Sequence, residues 1–410
     1  MKSANLLALG LALALGTTST LASELRRAEH PIKNSYIVVL KPNSLVLPAN
    51  ARNGREAMSM AVANAAVDLS DRFELRPHQM YDVALQGFAV EATEKQIQRL
   101  IKDPRVEYVE EDEMSYIHAT QTGATWGLDR VDQRDRPLNG SYIYNTTASN
   151  VRVYVIDSGI RASHSDFGGR VLSGYTAISD GRGTNDCNGH GTHVAGTVGG
   201  ATWGVAKAAR LVPVRVFGCT GGSANSTIIA GINWVASNHV KPAVANMSLG
   251  GSASSATDTA TNNLINAGVT VVVAAGNSNA NACNYSPAGT PEAFTVGASD
   301  VNDSRAPYSN YGDCVDIFAP GSNIVSASAS NPTGSTSLNG TSMATPHVSG
   351  LAALYLAQNP SATPAQIVSA IRDNGILNAI NNAQSQFGNI LINNNFIRGA
   401  TPVTPNPNPV

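Results

Sequence analysis

"VRVYVID", residues 151–157, decides the fold. It is rich in Val and Ile, reads as a strand, and stops on Asp157-Ser158-Gly159. Similar runs recur at 211–217 ("LVPVRVF"), 243–251 ("AVANMSLGG") and 269–277 ("VTVVVAAGN"). Helical stretches at 227–240 and 254–268 separate them. Apolar strands alternating with helices predict an α/β fold with a doubly wound, mostly parallel sheet covered on both faces. In such sheets the site lies beyond the carboxyl ends of the strands. Those ends deliver Asp157-Ser158-Gly159, Ser248-Leu249-Gly250-Gly251 and Gly276-Asn277. Two helix starts join them: "NGHGTHVAGTVGG" at 188–200, and "LNGTSMATPHVSGLAALYL" at 338–356, where Ser342 opens a buried helix from a tight turn.

Upstream, residues 23–118 carry more charge. Strands are predicted from Ser35, at 87–93 and after Arg105, with helices at 53–72 and 94–103. This is a small α+β (ferredoxin-like) unit, followed by "IHATQTGATWG" as an exposed linker. The first 22 residues have one early Lys, an apolar run from Leu6 to Leu15 and small residues at Thr20 and Ala22, the pattern of a secretory signal cut near Ala22. The apolar run is too short for a membrane span of about 20 residues. The expected organisation is 1–22 signal peptide, 23–118 small domain, 119–398 main domain and 399–410 a Pro/Asn-rich tail or linker.

Among the 410 residues only 14% are charged, against roughly 25% in an ordinary soluble domain. The net charge of −2 and the lack of a long basic run point away from nucleic acid. No later segment is long and apolar enough for a bilayer, so no membrane partner is expected. Export gives meaning to Cys187, Cys219, Cys283 and Cys314. An even count predicts two disulfides, with no C-x-x-C spacing for zinc. Three pairings are open; nearest-neighbour pairing would close loops of about 32 and 31 residues, each bond stabilising by about 3–4 kcal/mol on the chain-entropy view.

A serine hydroxyl is a poor nucleophile until a base takes its proton, and a carboxylate must orient that base. Asp157, His190 and Ser342 supply those types in the order Asp…His…Ser at one edge of the sheet. Singly, each has a plainer reading: a turn aspartate, a metal ligand with His193, a helix cap. No third ligand or H-E-x-x-H accompanies the histidines. The five residues around Ser342, G-T-S-M-A, miss the last glycine of the G-x-S-x-G elbow of α/β-hydrolases. "DSGIRASHSD" lacks the G-x-G-x-x-G of a dinucleotide site.

"VIDSGI", "NGHGTHVAGT", "NMSLGG", "VAAGN" and "NGTSMATPHVSG" resemble, in order, the signature segments of subtilisin-like serine proteases. The resemblance covers about 119–398. "WGLDRVDQRD", Lys241–Gly251, "ANACNYSPA" and Tyr308–Gly312 are closer still to the proteinase K branch, especially aqualysin-type bacterial enzymes. Residues 35–116 resemble the family's inhibitor-type propeptide.

The resemblance implies a secreted, monomeric endopeptidase acting on proteins and peptides. Ser342 would be nucleophile, His190 general base, Asp157 its orienting carboxylate, and Asn277 an oxyanion donor alongside the Ser342 N–H. Gly221-Gly222 and Ser248-Leu249-Gly250 would pair with an extended substrate. Ala275 and Gly276, with Gly250, would leave a roomy uncharged first pocket favouring aromatic or large aliphatic residues. Calcium would stabilise the fold, one site using Pro291, Ala293 and Asp316, a second Asp129, Asp132, Gln133, Asn139 and Ser141. Asp180 and Asp186 match a further ion loop more weakly. The implied disulfides are Cys187–Cys219 and Cys283–Cys314. The propeptide would chaperone folding, inhibit, and be removed near His118–Ala119 by the enzyme itself.

Overall fold

The computed structural model describes residues 24–28, 31–113, 119–385 and 388–398. The expected signal peptide, His118 and the expected tail lie outside the described residues. The chain divides into two compact units, Met1–Ser115 and Tyr116–Val410.

The first unit has strands β1 (Glu24–Arg26), β2 (Pro31–Leu40), β3 (Arg76–Tyr81), β4 (Gly87–Glu91) and β5 (Val106–Glu113), with helices α1 (Gly54–Phe73) and α2 (Glu94–Leu100). The sheet runs β1-β5-β2-β4-β3. β2 to β5 with the two helices make the expected ferredoxin-like βαββαβ unit. Asn53 caps α1 by accepting from Glu56 N at 2.9 Å, and a Thr93–Gln96 capping box starts α2. Val38, Leu69, Phe88, Val90, Ile97 and Leu100 are fully buried in its core. β1 has no apolar pattern. It forms by pairing parallel to β5, with the Arg26 guanidinium 3.6 Å from the Tyr108 ring centre.

The second unit is built on a nine-stranded sheet. Its strands are β6 (Arg152–Asp157), β7 (Tyr175–Thr176), β8 (Arg210–Arg215), β9 (Ala243–Met247), β10 (Thr270–Ala274), β11 (Phe294–Ser299), β12 (Ile317–Pro320), β13 (Ile376–Leu377) and β14 (Ile390–Leu391). The order is β13-β14-β12-β11-β10-β9-β6-β8-β7, parallel throughout except for β13–β14. The helices are α3 (Trp126–Asp132), α4 (His190–Gly199), α5 (Asn225–Asn238), α6 (Ser255–Asn266), α7 (Thr341–Gln358) and α8 (Pro364–Asp373).

The period of two along β6 sorts its side chains: Val153 and Val155 face the core of α4 and α7, whereas Tyr154 and Ile156 face that of α5 and α6. Each fully buried Val, Leu or Ile contributes about 1.5–3 kcal/mol, so both layers are held firmly to the sheet. The strand order reverses at β6, between β8 and β9. Asp157 therefore ends at the switch point, where a crevice opens.

One expectation needs correction. The stretch read as an exposed linker contains a strand, Ala119–Thr122, antiparallel to Ser141–Tyr144. The register is Ala119↔Tyr144 to Thr122↔Ser141, a pairing that no apolar pattern announces. The helix that carries Ser342 starts at Thr341 with Gly340 as N-cap, so Pro346 lies inside α7.

Candidate active site

The crevice at the switch point has a volume of about 460 Å³ and is lined by Asp157, His190, Asn277 and Ser342 together. Gly221, Ser248, Leu249, Gly250, Ala275 and Gly276 share its wall, while Gly222 is exposed beside it.

Asp157 is 1% exposed at the end of β6. Its carboxylate accepts from Ser158 N at 2.6 Å and faces His190 Nδ1 at 2.9 and 3.0 Å. With Nδ1 committed, Nε2 is the ring nitrogen left for the crevice. Burial disfavours the His190 imidazolium, but the charge of Asp157 and its hydrogen bond outweigh it, so the pKa ends above the usual imidazole value.

His190 is placed by a residue that sequence reading assigned only to an ion loop. Asp186 is buried, and its Oδ1 accepts from Ser158 Oγ, Asn188 N and Gly189 N at 2.9–3.0 Å. Its Oδ2 accepts from Thr192 N at 2.9 Å and Thr192 Oγ1 at 2.6 Å. These bonds fix the turn before α4 and its first N–H groups. Cys187 is bonded to Cys219, and Asn188 Nδ2 donates to Cys219 O at 3.0 Å, so the same loop is tied to the substrate edge. The second disulfide is Cys283–Cys314, and no free cysteine is present. Asp180 forms a bidentate pair with the buried Arg215 at 2.7 and 2.6 Å, which holds its carboxyl well below the usual range.

Asn277 follows β10. Its Oδ1 accepts from Thr341 N at 2.8 Å and Thr341 Oγ1 at 3.0 Å. Its Nδ2 is thereby turned toward the crevice, 3.5 Å from where a Cβ on Gly340 would lie. Asn310 braces this turn: Nδ2 donates to Ala275 O at 2.8 Å, and Oδ1 accepts from Ser278 N and Ala280 N at 3.0 Å. Gly276, at φ +102°, allows that approach, because a Cβ there would sit 2.4 Å from Asn310 Nδ2. Sequence reading missed Thr341 and Asn310. Their signal is weak, since a threonine beside Ser342 and an asparagine in a loop reveal nothing until their distant partners are known.

Ser342 is the second residue of α7. Its N–H finds no hydrogen-bond partner among the described residues, while the N–H on either side does: Thr341 bonds Asn277, and Met343 bonds Gly340 O at 3.0 Å. Its hydroxyl donates to Ser248 O at 3.2 Å. A free N–H, an amide and a helix N-terminus converge beside one hydroxyl, a place suited to developing negative charge.

The candidate calcium residues fall in two groups. Pro291, Ala293 and Asp316 border a cavity of about 800 Å³ with Glu292 and Arg372. Asp316 Oδ2 accepts from Thr295 N at 2.9 Å and Oδ1 lies 3.4 Å from Arg372 Nη1. Burial raises its pKa to about 6 despite those partners. The Asp316 carboxylate in that cavity is a hard oxygen ligand of the kind that suits calcium. In the other group Asp129 accepts from Gln133 Nε2, Asn139 N and Gly140 N, Asp132 accepts from Ile143 N at 2.8 Å, and Asn139 Oδ1 accepts from Ser141 N at 2.9 Å. Those five residues thus share one loop cluster of oxygen donors.

The profile of the subtilase family matches residues 148–389, and that of peptidase inhibitor I9 matches residues 35–118. An extracellular serine proteinase of Thermus sp. (strain Rt41A) is 50% identical over 375 residues, 89% of this chain and 90% of that protein. Alkaline serine exoprotease A of Vibrio alginolyticus is 47% identical over 309 residues, 74% of this chain and 58% of that protein. The crystal structure of a cold adapted subtilisin-like serine proteinase superposes with a TM-score of 0.65 at 48% identity, covering 67% of this chain and 99% of that one. The chain belongs to the subtilase family. It is a serine endopeptidase of that family, preceded by an I9 domain.

Proposed function

We propose that this is an exported protease made as a self-processing zymogen, cutting peptide bonds with Ser342, His190 and Asp157. The observation that carries the reading is the convergence on one crevice of the Asp157–His190 pairing, a Ser342 N–H with no partner among the described residues, and the oriented Asn277 amide. As substrate enters, the Ser342 hydroxyl leaves Ser248 O and passes its proton to His190 Nε2 while Oγ attacks the carbonyl carbon. The carbonyl oxygen becomes an oxyanion, stabilised by Ser342 N–H and Asn277 Nδ2. His190, charged and held by Asp157, then gives the proton to the leaving amine; water repeats the cycle to release the acid.

Gly221-Gly222 and Ser248–Gly250 are the edges for an extended substrate. Gly250, Ala275 and Gly276 leave the first pocket without charge, which supports broad specificity favouring aromatic or large aliphatic residues before the cut. Residues 1–22 act as signal and 23–118 as propeptide, chaperone and inhibitor. Removal near Ala119 frees the 119–398 enzyme, and 399–410 is a tail. Export agrees with the two disulfides, with the name of the Thermus relative, and with the lack, among the described residues, of a helix able to cross a membrane.

Calcium is a structural ion in this reading. Asp316 with the carbonyls of Pro291 and Ala293 would hold one, and Asp129, Asp132, Gln133, Asn139 and Ser141 another; the ion supplies a charge that ties neighbouring segments together. A chelator lowers the unfolding temperature, and added calcium restores it. An unchanged midpoint removes the calcium reading.

Hydrolysis of a chromogenic peptide with Phe before the leaving group, by the wild type and Ser342→Ala, tests the whole. The wild type cleaves and loses its first ~118 residues. Ser342→Ala loses roughly 10⁶-fold in kcat, the scale known for subtilisin itself, and keeps its propeptide. Intact masses showing both proteins processed alike would refute self-maturation.

A further inference from the structure

We infer that Ser248, through its side-chain hydroxyl, is the positioning residue that holds the main chain of Ser342 in place, and that Pro346 creates the need for it. In an α-helix the N–H of residue 346 would donate to the carbonyl of residue 342. Proline has no such N–H, so the Ser342 carbonyl inside α7 lacks that partner. Ser248 Oγ takes the vacant role and donates to Ser342 O at 2.8 Å.

The hydroxyl is aimed from behind. Asn246 Nδ2 donates to Ser248 Oγ at 2.9 Å, and Asn246 Oδ1 accepts from Ser349 Oγ at 2.8 Å. A relay thus leaves α7 at Ser349, crosses to the end of β9 and returns to α7 at Ser342. All three relay side chains are 3% exposed or less. Since Ser248 Oγ accepts a hydrogen bond from Asn246 Nδ2, its own O–H is left to donate to Ser342 O, and the direction of the relay is set.

Ser248 therefore grips Ser342 twice, at the main chain through Oγ and at the side chain through its own carbonyl, which accepts from Ser342 Oγ at 3.2 Å. The two contacts have different fates. The side-chain contact breaks when the hydroxyl turns to His190. The main-chain contact lasts through the reaction and keeps Cα, N–H and Oγ of Ser342 aligned with Asn277. This inference rests on Ser342 being the nucleophile.

The experiment compares wild type, Ser248→Ala, Pro346→Ala and the double variant, with active sites counted by sulfonyl fluoride titration. Ser248→Ala lowers kcat about tenfold, the worth of one buried hydrogen bond, with KM within about twofold. Pro346→Ala returns an N–H to the Ser342 carbonyl, so in the double variant at least half of that loss, on a logarithmic scale, is recovered. Ser349→Ala gives a smaller loss of the same kind and replaces Ser248→Ala in the comparison if that variant does not fold. An unchanged kcat, a loss confined to KM, or losses that simply multiply would overturn the inference. A wild type that hydrolyses nothing refutes the nucleophile reading instead. The inference is then decided by unfolding midpoints: Pro346→Ala must recover what Ser248→Ala loses, and no recovery sinks it.

Discussion

Leaving aside α3 and α5, which begin after Thr125 and Ala224 without a side-chain cap, the described helices start in two ways. Four of them, α1, α2, α6 and α8, are capped by their own Asn53, Thr93, Ser254 and Thr363, each accepting from an N–H in the first turn. α4 and α7 start instead at Gly189 and Gly340, at φ +103° and +151°, with no side-chain cap. Their first N–H groups are served from outside the helix: by Asn188 and Asp186 of the preceding loop and by distant Ser158 for α4, and by distant Asn277 for α7. Local caps make a helix end self-sufficient. Distant caps instead join a helix end to a strand end, and in α7 the Ser342 N–H has no hydrogen-bond partner among the described residues. Of these six, the helices carrying His190 and Ser342 are those whose starts draw on side chains far along the sequence, Ser158 and Asn277.

Substitution of the two kinds of cap separates rate from stability. The largest effect is expected at Asn277. Asn277→Leu removes the amide and lowers kcat about 10²–10³-fold, the magnitude known for the corresponding amide of subtilisin, with little change in KM. A drop of less than tenfold would mean that Asn277 serves the α7 start alone.

The next effect follows from the cores of the same two helices. His193 on α4 and His347 on α7 are fully buried, and burial lowers both pKa values to about 4. Above about pH 6.5 both histidines are neutral in the folded and the unfolded chain. Between about 6.5 and 4 only the unfolded chain takes up protons, so stability falls as pH drops through that window, by up to about 3 kcal/mol per histidine. Urea unfolding of Ser342→Ala at pH 7 and 4.5 measures the fall, and His347→Gln should flatten it. His190 behaves oppositely. Its raised pKa places the acid limb of kcat/KM above about pH 6.5, because the base must be neutral to accept a proton. A limb centred below that value would break the assignment.

The smallest effect belongs to the local caps. Thr363→Ala removes the α8 capping box and costs about 1 kcal/mol of stability with kcat unchanged. A loss of rate there would erase the distinction between the two kinds of helix start.

Much of the architecture was legible because fully buried parallel strands run apolar and end abruptly. The stretches at 151–157, 211–217 and 269–277 match β6, β8 and β10 to within three residues at each end. Asp157, Ser248 and Asn277 were found by the same logic, as polar residues where those runs stop. β1 and the Ala119–Thr122 strand were not legible, because three or four residues without an apolar period take their structure from the partner they meet. Asp186 was legible as an acid but not as the organiser of the His190 turn, since its partners span Ser158 to Thr192.

By itself, then, the sequence determined the α/β alternation, the small α+β unit before it, and the chemical types at each strand end, because burial and secondary structure impose short-range periods on residue choice. Only the tertiary structure decided which of those ends share a crevice, which cysteines pair, and which carbonyl receives the Ser248 hydroxyl. Those facts depend on strand order and on contacts such as Asn277 with Thr341 and Ser248 with Ser342, separated by 64 and 94 residues, and no local pattern constrains atoms so far apart along the chain.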